Sequence, residues 1–150
     1  MKKFLVFILI LCTILYTNQV KTTCEFADGF AGVYCFYTTE NFESNLTTRI
    51  KNGNGFIVSC DIDCAGTVKN MLNKNLLFGE SFSFVGNEDD IKNLLFDLDV
   101  CYTSKNENEL LAYSPKLDYS FVSDGKEFNV QIAENKGVIY VGFPTIFGGF

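Results

Sequence analysis

The chain reads as an α+β protein on three observations. Two segments carry apolar residues at helical spacing, several short runs carry strand-forming residues, and turn signals sit between those runs. Two amphipathic helices among many short strands predict helices laid on one face of a twisted, mostly antiparallel sheet.

The amino terminus precedes that domain. Lys2 and Lys3 are followed by an unbroken apolar run, 4–16, the pattern of an export leader. The run is shorter than the ~20 residues a helix needs to cross a bilayer, so a cleaved signal peptide over 1–23 is expected. An uncleaved signal anchor is the alternative, because 17–23 supplies threonine but no alanine ahead of a cut. Lipoprotein processing does not fit: bulky Leu11 precedes Cys12, and Cys24 lies outside the apolar run. Residues 24–150 then form a single α+β domain. The expected location is secreted, or at the extracytoplasmic face of the membrane.

Within the domain, 33–38 reads as a strand with aromatics on both faces, followed by a polar loop over 39–45. Asn45-Leu46-Thr47 is a sequon, which matters only in a host that glycosylates. Asn52-Gly-Asn-Gly55 is a turn signal that pairs 48–51 with 56–61 as a hairpin. Asp63 is placed to cap a helix over 64–73, whose apolar face is Ala65, Val68, Met71 and Leu72. A strand over 81–85 leads to a cap at Asn87 and the acidic first turn Glu88-Asp89-Asp90. Ile91, Leu94, Leu95 and Leu98 then form one helix face. Val68-Lys-Asn-Met-Leu72 and Ile91-Lys-Asn-Leu-Leu95 share one pattern, which a decayed repeat and coincidence explain equally well.

From Val100 the period changes to two. Strands are expected at 100–104, 110–114, 119–123, 127–133 and 138–143, with turns at Asp124-Gly125 and Asn135-Lys-Gly137. Phe128, Val130 and Ile132 alternate with Glu127, Asn129 and Gln131, predicting one face on a core and one in water. Pro144 ends the last strand, and the apolar tail 145–150 is expected to tuck against the sheet.

Charge and composition exclude more chemistry than they suggest. With Lys2, Lys3 and Lys21 set aside, 9 Lys and Arg face 18 Asp and Glu, a net charge near −9. Such a surface repels phosphates, so nucleic acid is not an expected partner, and membrane contact is expected only through an uncleaved leader. The chain has no histidine, which removes Ser-His-Asp and Cys-His nucleophile pairs and His-ligated zinc. The acidic clusters sit where helix starts favour negative charge and show no EF-hand spacing, so no metal and no cofactor is expected. The aromatic residues Tyr34, Phe36, Tyr37, Phe82, Phe84, Tyr102, Tyr113 and Tyr119 are assigned to strands and to core packing ahead of a stacking surface.

Five cysteines follow the leader: Cys24, Cys35, Cys60, Cys64 and Cys101. Two disulfides with one leftover thiol, or buried thiols acting as small apolar residues, both fit the spacing. Cys60 and Cys64 are the candidate disulfide or redox pair, since a helix start beside Cys64 would stabilise a thiolate. Their three-residue gap and the neighbouring Asp61 and Asp63 oppose that role.

The carboxy-terminal half resembles a known family. Gly79-Glu-Ser-Phe-Ser-Phe84, the capped helix 87–98, Tyr113-Ser-Pro-Lys116, Phe128-Asn-Val-Gln-Ile-Ala133 and Gly142-Phe-Pro-Thr-Ile-Phe-Gly-Gly-Phe150 are similar to the YwmB-like family. The likeness covers residues 79–150. It implies a small exported protein of a spore-forming Gram-positive bacterium with a TATA-box-binding-like α+β fold. That name describes a shape, not DNA binding, and the family carries no catalytic residues to transfer.

The expectation is therefore a non-enzymatic binding or accessory protein of the cell envelope, with an envelope or extracellular protein as partner. Two alternatives stand beside it. One is an extracytoplasmic thiol or redox-responsive protein using Cys60 and Cys64; the other is an extracellular peptidase inhibitor or effector that binds by strand pairing.

Overall fold

A computed structural model of the chain describes residues 22–147. The apolar leader and the last three residues of the tail lie outside the described residues, except that Thr22 and Thr23 fall within them. Among these residues there are ten strands and two short α-helices. Numbered in chain order, the strands are β1 (Gly32–Thr38), β2 (Thr48–Asn52), β3 (Gly55–Asp61), β4 (Leu77–Val85), β5 (Tyr102–Lys105), β6 (Glu109–Tyr113), β7 (Phe121–Ser123), β8 (Lys126–Phe128), β9 (Val130–Asn135) and β10 (Val138–Phe143). Eight of them form one antiparallel sheet in the order β2-β3-β1-β4-β10-β9-β6-β5, and β7 pairs with β8 alone.

The strands follow the turn chemistry closely. β1 (Gly32–Thr38) pairs with β3 (Gly55–Asp61) on one side and β4 (Leu77–Val85) on the other. β2 (Thr48–Asn52) is joined to β3 by a two-residue turn with Gly53 at φ +56°, a backbone that glycine adopts without a steric penalty. β9 (Val130–Asn135) turns into β10 (Val138–Phe143) through Lys136 and Gly137, and β7 (Phe121–Ser123) into β8 (Lys126–Phe128) through Asp124 and Gly125. β5 (Tyr102–Lys105) and β6 (Glu109–Tyr113) complete the sheet, with β5 and β2 at its edges.

Of the helices, α1 is Ala65–Met71 and α2 is Glu88–Asp97. Asn87 caps α2 as its sequence indicates: its side chain accepts from the Asp89 N–H at 2.8 Å, and Asp90 accepts from the Asn87 N–H at 2.8 Å. Leu94 and Leu98 are buried, and Ile91 and Leu95 pack on the same cluster. The helix ends in a Schellman motif, with Asp99 left-handed and the Val100 N–H returning to the Leu95 carbonyl at 3.2 Å.

Five expectations need correction. Asp63 does not cap α1; it lies inside a 3-10 turn, Ile62–Cys64, that leads into the helix, so the backbone is already helical where a cap must be extended. Met71 is exposed, because the helix stops there and Leu72 turns inward from an extended conformation. The strand expected over 127–133 is broken at Asn129, which is fully buried rather than in water. There the Asn129 carboxamide accepts from the Ser114 N–H at 2.8 Å and donates to the Ser114 carbonyl at 2.6 Å, and Ser114 Oγ donates to the Leu98 carbonyl at the end of α2. Tyr119 lies in the segment before β7 rather than on a strand. β5 begins at Tyr102, leaving Val100 and Cys101 in the helix-to-strand connection.

One buried cluster unites these elements. Tyr34 and Phe36 of β1, Val58 and Cys60 of β3, Phe82 and Phe84 of β4 and Ile139 and Val141 of β10 meet Ala65, Val68, Leu94 and Leu98 from the helices. Of the aromatics assigned to core packing, Tyr34, Phe36, Phe82 and Phe84 are thus core, whereas Tyr37 and Tyr113 are half-buried and Tyr102 is exposed. The alternate positions, among them Val33, Cys35 and Tyr37 of β1, point to the other, outer side of the sheet.

Candidate functional site

The most unusual chemistry lies inside the core. β4 extends back to Leu77, which places Glu80 two residues before Phe82 and on the same inward face. Its side chain has no solvent exposure. A buried carboxylate is costly unless charge and hydrogen bonds compensate it, and here both do. Oε1 accepts from Lys69 Nζ at 2.6 Å and from the Tyr119 hydroxyl at 2.9 Å; Oε2 accepts from Thr23 Oγ1 at 2.6 Å and from the Tyr34 hydroxyl at 2.8 Å. Lys69 also donates to Thr23 Oγ1.

The donors come from four places: the amino-terminal turn Thr23–Phe26, β1, α1 and the segment before β7. Burial and the Glu80 charge push the Tyr34 and Tyr119 phenols well above their ordinary range, so both remain proton donors. Among the described residues no buried side-chain nitrogen or oxygen lacks a partner. Four donors fill the Glu80 carboxylate, two on each oxygen, and the 370 Å³ cavity between the amino-terminal turn and α2 is lined by other residues. A strand begun at Ser81, as expected from the sequence, leaves Glu80 outside the sheet; the period-two register of Glu80, Phe82 and Phe84 is the signal that extends it.

The thiol candidates are dispersed in environment. All five described cysteines are free. Cys60 is the penultimate residue of β3, on the core side, where burial first, and then the charges of its neighbours, push its thiol up to about 12. Burial likewise raises Cys24 to about 11. Cys64 is half-buried at the junction of the 3-10 turn and α1, a helix too short to offer a strong N-terminal field. Cys101 is exposed. Asn45 of the sequon is exposed in the loop before β2. Among the described residues no group of three or more Cys, Asp or Glu is arranged to hold a metal ion.

The outer side of the sheet is built differently. A 230 Å³ trough there is lined by Cys35, Ser59, Ser81 and Ser83 together with the apolar Val33 and Ile50. The described part of the tail, residues 145–147, lies against this side as expected: the Ile146 N–H donates to Gln131 Oε1 at 2.8 Å, and Phe147 stacks on Tyr37 at 4.8 Å between ring centres. Two glycines make room for it. A Cβ on Gly142 would overlap the Thr145 and Ile146 backbone, and one on Gly79 would overlap the Phe147 ring. Around the trough Val33 is 43% exposed and Ile50 65%, an apolar surface with no covering element among the described residues.

No protein-family model, no curated protein and no solved structure matches the chain.

Proposed function

We propose that this protein is an exported or membrane-tethered, non-enzymatic binding or accessory module of the cell envelope. Its α+β domain would have both helices on one face of the sheet, in the manner of the YwmB-like, TATA-box-binding-like proteins. One contrast carries the reading: the one cluster of converging titratable side chains described above, Glu80, Lys69, Tyr34 and Tyr119, is turned inward and hydrogen-bonded, while apolar side chains such as Ile50 are turned outward. Catalysis needs the first group accessible, and binding needs only the second.

The acidic surface supports a protein partner over nucleic acid. A leader before the domain supports export, and among the described residues no helix is long and apolar enough to cross a membrane. Cell fractionation tests the location. The reading expects the protein in the medium or with the envelope; an unprocessed chain free in the cell interior would overturn it.

Strand pairing with a target remains a second reading, supported by β2, whose outer edge has no neighbour in the sheet. It predicts that the purified protein slows an extracellular peptidase. The thiol reading is the third, and the raised Cys60 thiol weighs against it, because thiolate attack requires a lowered one.

A further inference from the structure

We propose that the mature protein retains Thr22 and Thr23, so that any removal of the leader takes place on the amino-terminal side of Thr22 and not after Thr23. The inference builds on the export reading, and three observations carry it. Thr23 is only 8% exposed, and its hydroxyl supplies one of the four hydrogen bonds that hold the buried Glu80 carboxylate, at 2.6 Å. Thr22 opens the turn that follows: the Glu25 N–H donates to the Thr22 carbonyl at 3.0 Å, and Glu25 Oε2 accepts from the Thr22 N–H at 3.2 Å. Cys24, Phe26 and Ala27, which that turn delivers to the core, are all buried.

A chain beginning at Cys24 loses all of this at once. It gives up the Thr23 hydroxyl and the turn's first carbonyl, and it gains an ammonium at a residue that is 6% exposed. Glu80 already has Lys69 as its counter-ion at 2.6 Å, so the new cation has no unpaired carboxylate there and pays the desolvation cost of a buried charge. A chain beginning at or before Thr22 keeps its terminal charge outside, since Thr22 is exposed.

The test uses protein recovered from its native cells, as wild type and as Thr23→Val, which removes the hydroxyl at nearly constant shape. Intact mass and amino-terminal sequencing are expected to place the first residue at or before Thr22, the uncut chain included. The Thr23→Val protein is expected to unfold at a urea midpoint lower by roughly 1 M, from a lost hydrogen bond to a charged group. A wild-type chain that begins at Thr23 or later overturns the proposal. So does a Thr23→Val midpoint equal to that of wild type, the result required if residue 23 were cut away. An uncut chain found only in the cell interior defeats the export reading instead, and the Thr23→Val comparison still decides this one.

Discussion

Lys69 and Glu80 form an ion pair of 2.6 Å in which the carboxylate is wholly buried and the lysine only 18% exposed. Replacing Lys69 by methionine leaves the carboxylate without its counter-ion, and loss of one partner of a buried pair costs about 3–5 kcal/mol. The double variant Lys69→Met/Glu80→Gln removes both charges and is expected to recover more than half of that loss. Urea denaturation of the four proteins in a double-mutant cycle checks it; additive losses would mean that the pair is not coupled.

Alkaline pH should destabilise the fold. The thiols of Cys24 and Cys60 stand at about 11 and about 12 in the folded protein against an ordinary 9.0. The folded state therefore holds these protons more tightly than the unfolded chain. Their contribution is complete below pH 9 and is lost as pH rises toward 11 and 12. Tyr34 and Tyr119, also shifted upward, act in the same direction. Denaturation midpoints measured at intervals from pH 8 to 11 are expected to fall in wild type, and to fall less steeply in Cys60→Ala.

Thiol labelling of the native protein should follow exposure. Cys101 is expected to react first, Cys35 and Cys64 more slowly, and Cys24 and Cys60 only through opening of the fold. Peptide mass mapping after timed alkylation reads the order. Early labelling of Cys60, or its recovery in a disulfide with Cys64, would instead favour the redox alternative.

Gly142→Ala should dislodge the tail. The added methyl meets backbone at Thr145 and Ile146, which cannot rotate away as a side chain would. Loss of the stacked contact between Tyr37 and Phe147 is expected, with a destabilisation of about 1–3 kcal/mol, the usual cost of overpacking. The Tyr37 ring signals in a proton spectrum report the contact directly.

What the sequence made legible was local. The Asn87 cap, the spacing of Leu94 and Leu98, and the Asp124-Gly125 and Lys136-Gly137 turns depend on residues a few positions apart, and all appear where expected. What escaped depends on distant partners. Glu80 looks like an ordinary polar residue beside a glycine until β4 is lengthened, and its donors lie 57, 46, 11 and 39 residues away. Asn129 sits in a convincing alternation, yet is drawn inward by the Ser114 backbone 15 residues earlier. Asp63 has the right side chain for a cap, but the 3-10 turn around it removes the extended backbone a cap requires. The sheet's central strands could be sketched from periodicity, whereas the polar cluster that joins the amino terminus, α1 and the segment before β7 could not.

The binding account is tested most directly by capture from envelope extracts with wild-type protein and with Ile50→Asp, whose side chain is 65% exposed and so alters the outer face without touching the core. The account predicts a specific protein retained by wild type and lost with Ile50→Asp, at unchanged thermal stability. Recovery of that protein in equal yield by both, or of none by wild type, would contradict it.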